Sequence, residues 1–346
     1  MEINTFLILF LFFVLTIFLL KRFNILIDNT SYSEHKKIGK ENFKPLVIGG
    51  FYITFVICYF LPEEFNIIKI FTILFFFLGL LSDKNYVSNP KIRLILQVII
   101  LSVLVFLEGL SIKSINISFF DKLLVNNNIN LIFTVFCLSI LLNGSNFLDG
   151  LNGLVTGYYL LVLTSLLYIN NFPIDAHYIS INEINLIEIL LLSLTIFFIF
   201  NILGLVYLGD SGAYLLGLVI GVILIKANQQ NIFISPFYVV NMLWYPAFEN
   251  LFSLIRRLYA KHNISKADKF HLHQLVYRLL KSNKIVSKKI ANPISALIIL
   301  ICNVPGILIS NLVYWHAAYL IVVLVFNIVI YLSVFFLVSK NFVLKK

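Results

Sequence analysis

The chain has 346 residues, 60% of them hydrophobic and 12% charged, against roughly 25% charged in an average soluble domain, which excludes a water-soluble globular protein. A net charge of +10 would suit a nucleic-acid binder, but the placement of the charges excludes that too. Of the 26 Lys and Arg, 22 fall in 21–44, 84–93, 256–289 and 340–346, whereas the alternate connections carry Glu63, Glu64, Asp121, Asp175, Glu183 and Glu188, the positive-inside pattern of a multi-pass membrane protein.

Apolar stretches of about 17 to 25 residues can cross a bilayer as helices. With the basic segments taken as cytoplasmic, the sequence predicts spans at 3–20, 46–61, 66–81, 94–110, 130–146, 154–170, 186–203, 212–226, 232–254, 292–312 and 316–337. This is an all-α polytopic bundle of about eleven spans, or ten if the break near Trp315 is absent. The N-terminus is then outside, the C-terminus cytoplasmic, and 1–346 a single integral membrane domain. Ile3 to Leu20 is filled with Phe, Leu and Ile and has no small-residue cleavage site before Lys21, so it is expected to remain as a span. Cys58, Cys137 and Cys302 each sit alone in an apolar segment and suggest neither a disulfide nor a metal cluster. The cytoplasmic connections become 21–45, 82–93, 147–153, 204–211 and a long basic loop at 255–291.

Four of those five connections carry residues that look chemical, and the fifth, 21–45, offers a looser set with the start of the span after it. Asp28, His35, Lys36, Pro45, Gly49 and Gly50 form a loose polar set. Gly79-Leu-Leu-Ser82-Asp83-Lys84 ends the third span, and Pro90-Lys91-Ile-Arg93-Leu-Ile-Leu-Gln97 opens the fourth; Asp83 could bind metal, steer a phosphate, or be an ordinary surface acid. In Asn143-Gly-Ser-Asn146-Phe-Leu-Asp149-Gly150-Leu-Asn152-Gly153, helical spacing puts Asn143, Asn146, Asp149 and Gly150 on one face. An ionised Asp costs roughly 2.5–3.5 kcal/mol at a bilayer centre, so Asp149 implies a polar cavity, an interface or a partner, a helix cap being the plainer explanation. Phe200-Asn201 leads to Gly209-Asp210-Ser211-Gly212, where a helix N-terminus could receive an anion while the carboxylate holds a hard cation; the same residue types also make ordinary caps and turns. Finally, Tyr245-Pro246-Ala-Phe-Glu249 leads through Arg256 and Arg257 to Asp268-Lys269-Phe-His271-Leu-His273-Gln274. Two His at i and i+2 do not face one another on a helix, so a two-His zinc site is disfavoured. Contact with phosphate or sugar fits better, or a basic loop near anionic lipid headgroups.

Taken in order, Asn-x-x-Asn-x-x-Asp-Gly-x-x-Gly-Leu at 143–154, Gly-Asp-x-Gly at 209–212 and His-x-His at 271–273 resemble the polyprenyl-phosphate N-acetylhexosamine-1-phosphate transferases (glycosyltransferase family 4). The similarity runs from about Asp28 to Pro293, with wording closer to the polysaccharide branch than to the peptidoglycan branch. The resemblance implies transfer of a sugar-1-phosphate from a UDP-N-acetylhexosamine to undecaprenyl or another polyprenyl phosphate, with UMP released, in the bacterial inner membrane with the site facing the cytoplasm. It implies Mg2+ (or Mn2+) as cofactor, membrane lipid around the chain, and a homodimer.

Carried over residue by residue, the resemblance makes Asp210 the principal metal ligand, with Asp149 beside it. Asn143 and Asn146 would sit around the uridine diphosphate, His271 and His273 would contact diphosphate or sugar, and Asp83 would lie near the lipid phosphate. Asn201 and Arg257 are further candidate substrate contacts. Ser82, Val206 and Gln274 stand where the family usually has an acid, a basic residue and a further His. A phosphate monoester with a second pKa near 6 needs little help from a protein base, and positioning with charge neutralisation is the main demand of phosphoryl transfer, so an active enzyme is expected. The alternatives are a non-catalytic binder of lipid-linked sugar and a transporter, the second disfavoured because the polar residues gather at one membrane face.

Overall fold

The computed structural model describes residues 3–27, 45–87, 89–171, 179–259, 270–282, 286–287 and 290–343; Asp28, His35, Lys36, Asp175, Asp268 and Lys269 lie outside them. The helices in this set are α1 (Ile3–Arg22), α2 (Gly49–Phe60), α3 (Asn66–Asp83), α4 (Pro90–Leu107), α5 (Ser118–Leu124), α6 (Asn127–Leu148) and α7 (Leu154–Asn171). They continue with α8 (Ile181–Ile202), α9 (Gly209–Gln230), α10 (Pro236–Tyr259), α11 (Leu272–Ser282), α12 (Ala291–Leu312) and α13 (Ala317–Val343).

Each of the eleven expected spans meets a helix. Nine helices among the described residues are long and apolar enough to cross a membrane, and the chain is a multi-pass membrane protein. The other two differ for stated reasons. α2 has only 12 residues, because Leu46–Val47, expected inside that span, instead form a strand, β1. α10 has 24 residues but is amphipathic and contains Pro246. The expected loop 255–291 is not continuous loop: α10 runs to Tyr259, and α11 occupies 272–282 with Leu272, His273 and Leu275 buried.

Local signals start several helices. Asn89 caps α4, with Pro90 at its first position; Asn126 caps α6; and Ser180 with Glu183 forms a reciprocal capping box on α8. The centre of the bundle is α9, buried along nearly its whole length and packed by α2, α3 and α6. Gly217 and Gly221 on α9 face Ser145, Leu142 and Leu138 of α6, the small-residue packing by which membrane helices approach closely. α7 packs on α8 and α12, and α10 lies against α6, α12 and α13.

β1 pairs in parallel with β2 (Val206–Tyr207), Leu46 opposite Val206 and Val47 opposite Tyr207, while Val47 N–H also donates to Leu26 C=O at 2.8 Å. This short ladder starts α2 and α9 at the same end of the bundle. The C-termini of α3, α6, α8 and α10 arrive at that end because successive long helices alternate in direction.

Candidate functional site

The site is built where α3 ends, α4 and α9 begin, and α6 turns into α7. Gly209 has φ +75°, a conformation that glycine adopts without strain, and it turns the chain from β2 into α9. The Asp83 carboxylate then caps α9 from the neighbouring helix. Its Oδ1 accepts from Asp210 N–H at 2.9 Å, and its Oδ2 from Ser211 N–H at 3.4 Å and Ser211 Oγ–H at 3.2 Å. Negative charge at a helix N-terminus is favourable. Gly79, one turn before Asp83, permits this docking, because a Cβ there would overlap the Ser211 backbone. Asp83 is therefore committed to holding the first turn of α9.

Asp210 points the other way, into a polar network. Its Oδ2 accepts from Ser82 Oγ–H at 2.5 Å and from Arg93 Nη1 at 3.0 Å, and Arg93 also donates to Ser82 Oγ. Both ends of the ion pair are about a quarter exposed (25% for Arg93, 28% for Asp210), so the carboxylate remains reachable from the aqueous side. Ser82, where the family resemblance implies an acid, thus supplies a hydroxyl that bridges Asp210 and a guanidinium.

Asp149, at the C-terminus of α6, lies near enough to act electrostatically on Asp83, as does Asp210. The three carboxylates expected to converge do so at one end of the bundle, with Arg93 as the cation paired among them. On the face of α6 leading to Asp149, Asn143 Nδ2 donates to Gln97 Oε1 at 2.9 Å and to Ser139 C=O at 2.8 Å. Asn146 Nδ2 is buried with no hydrogen-bond partner among the described residues. A buried donor left unmade costs on the order of 1–3 kcal/mol, so this amide is a group that a bound ligand would satisfy.

Asn201 is spent differently. Its Oδ1 accepts from Gly153 N–H at 2.8 Å, and its Nδ2 donates to Val206 C=O at 2.9 Å, so it ties the α6–α7 turn to β2. Asn292 at the start of α12 supports the same turn by accepting from Asn152 N–H at 2.8 Å.

His271 and His273 enter from the α10–α11 corner. Their rings stack, centroids 5.4 Å apart and planes 12° from parallel, because His271 precedes α11 and only His273 lies on it. His271 also packs on Phe147 at 5.2 Å. Gly150 leaves room for the His273 ring: a Cβ at 150 would come within 3.0 Å of its Nε2. The pair is thereby brought against the Asn146–Gly150 segment, as expected. Arg257 lies in the last turn of α10, half-buried; its neighbour Arg256 sits over the rings of Phe252, Phe270 and Phe335.

Arg93, Gln97 and Glu249 were visible in the polar segments but carried no assigned role; Asn292 was not singled out at all. The signal available for Glu249 was its position, a carboxylate in an apolar stretch with Pro246 one turn before it.

Residues 65–228 match the model of glycosyl transferase family 4. The chain is 24% identical over 275 residues to a Bacillus subtilis (strain 168) protein named "Probable undecaprenyl-phosphate N-acetylglucosaminyl 1-phosphate transferase", covering 77% of this chain and 71% of that one. It is 27% identical over 211 residues to the undecaprenyl-phosphate alpha-N-acetylglucosaminyl 1-phosphate transferase of Yersinia pestis, covering 58% of this chain and 55% of the relative. The matched region contains Asp83, Arg93, Asn143, Asn146, Asp149 and Asp210 together, so the likeness to glycosyl transferase family 4 lies in the part of the chain that builds this site.

Proposed function

We propose that this protein transfers a sugar-1-phosphate of the N-acetylhexosamine type from a UDP-sugar to undecaprenyl phosphate or a similar polyprenyl phosphate, releasing UMP and starting a lipid-linked envelope glycan. The observation that carries this is the meeting of Asp149, Asp210 and an Asn146 amide whose Nδ2 has no partner among the described residues, at one end of a membrane bundle, in a chain whose relatives are named undecaprenyl-phosphate N-acetylglucosaminyl 1-phosphate transferases. The end in question also bears Lys21, Arg22, Arg256 and Arg257, whereas Glu63, Glu64 and Glu183 lie at the other. By the positive-inside rule it faces the cytoplasm of a bacterial inner membrane, where UDP-sugars are made.

An oxygen of the lipid phosphate attacks the β-phosphorus of the donor, and the bond from that phosphorus to the oxygen retained by UMP breaks. Asp83 fixes the α9 N-terminus so that Asp210 is presented without rearrangement. Asn146 and Asn143 bind the nucleotide diphosphate, His271 and His273 its phosphates or sugar, and Arg93 offsets excess negative charge when the anions arrive.

The donor set suits Mg2+, with Mn2+ as substitute. Among the described residues no three His, Cys, Asp or Glu side chains gather closely enough to hold a metal alone. Mg2+ characteristically takes one or two carboxylates and completes its shell with substrate phosphates and water. Asp210 and Asp149 would hold it, and it would neutralise charge on the diphosphate and the departing UMP.

The experiment is UMP release by membranes containing the protein, given undecaprenyl phosphate, magnesium and a panel of UDP-N-acetylhexosamines. Release with at least one donor, abolished in Asp210→Asn, is expected. No release with any donor, or full activity in Asp210→Asn, would overturn it.

A further inference from the structure

Glu249 is a carboxylate only 1% exposed, on α10, in a bundle otherwise lined there by Tyr245 and Tyr331, which border it. A buried charge is retained at high cost unless it is paired and hydrogen-bonded. Its Oε1 meets both His271 Nδ1 at 2.9 Å and the backbone N–H of Leu272, which donates to it at 3.1 Å. Capping Leu272 requires only an acceptor, which an amide would supply. The same oxygen serves the imidazole: an acceptor held opposite Nδ1 fixes the proton on that nitrogen and turns Nε2 to the opposite edge of the ring.

The ring is also held by its neighbours. Phe147 packs against it and His273 stacks on it, and His273 reaches Gly150. Glu249 is thereby connected, through two rings, to the turn that carries Asn146 and Asp149.

We propose that Glu249 is a positioning residue that sets the tautomer and orientation of His271, so that Nε2 is presented to the donor's diphosphate or sugar. This rests on the transferase reading above. Glu249 does not touch substrate; it acts through His271.

The test has one arm that needs no turnover. In detergent-solubilised protein labelled with 15N-histidine, the His271 signals, assigned with His271→Ala, are expected to show Nδ1 protonated in the wild type. In Glu249→Leu, which has no acceptor, they are expected to shift toward the Nε2-protonated form. An unchanged tautomer would overturn the proposal.

In the second arm, Glu249→Leu is expected to lower kcat for UMP release by about 10- to 100-fold, with a smaller change in donor KM. Glu249→Gln, whose amide oxygen still accepts from Nδ1–H, recovers most of the loss, and Glu249→Ala serves as the comparison should the Leu variant not fold. The double variant Glu249→Leu/His271→Ala is expected to be no slower than His271→Ala alone. Additive losses, or wild-type kcat in Glu249→Leu, would overturn it. If the wild type releases no UMP, the transferase reading fails while the 15N arm still decides the link between Glu249 and His271.

Discussion

Pro246 interrupts α10 two residues after Trp244, and its missing N–H should leave the carbonyl of Met242, four residues back, without a helical partner. Tyr158 of α7 donates its hydroxyl to that carbonyl at 2.9 Å, and both side chains are fully buried. Neighbouring side chains commonly rescue backbone groups freed by proline in membrane helices. Tyr158→Phe preserves the ring and removes the hydroxyl, which besides this bond accepts only a long one from Tyr245 N–H at 3.5 Å among the described residues, so its effect is dominated by the bond to Met242. A buried carbonyl left unsatisfied costs about 1–3 kcal/mol, and that loss is expected in equilibrium unfolding by SDS titration of detergent micelles. The cycle with Pro246→Ala is more diagnostic. Alanine returns an N–H that can serve Met242, so Tyr158→Phe should cost less in the Pro246→Ala background, by a coupling of at least ~0.5 kcal/mol. Equal cost in both backgrounds, or no cost in either, would refute the assignment. Since α10 runs from this break to Glu249, loosening it should also lower UMP release.

Asn146→Ala removes a buried donor that has no partner and is expected to leave stability unchanged or slightly raised while donor KM rises about ten-fold, measured by UMP-release kinetics beside unfolding. Asn201→Ala is its opposite: the Gly153 N–H and the Val206 C=O both lose their partner, costing about 1–3 kcal/mol each, with KM of the remaining folded protein little altered. Gly79→Val would push α3 off the Ser211 backbone. A destabilisation of about 1–3 kcal/mol and loss of UMP release together are expected, and wild-type unfolding in that variant would contradict the close approach.

The helices were legible because membrane crossing demands long uninterrupted apolar stretches, and every expected span contains one. The departures come from interactions between distant parts of the chain. Leu46–Val47 look like the start of a span, but they pair with Val206–Tyr207, 160 positions later. α11 was hidden in a basic segment because its apolar positions, Leu272, Leu275, Val276 and Leu279, are diluted by Arg278 and Lys281. At the site, residue types announced Asp149, Asp210, Asn146 and the His pair. Composition could not tell that Asn201 binds backbone groups through both ends of its amide whereas the Asn146 Nδ2 has no partner among the described residues, nor that Asp83 caps a helix 127 residues away. Ser82 read only as a missing acid; its link to Arg93 and Asp210 depends on the packing of α3 against α4 and α9.

The enclosure of α9 also bears on biogenesis. Of the helices packed around it, α2, α3, α6 and α7 are all synthesised earlier and only α10 later. When α9 is made, the helices that supply most of its berth have already been synthesised, and its docking brings Asp210 beside Asp83. The histidine-bearing corner joins afterwards, as the last piece added to a centre whose acidic half is already set.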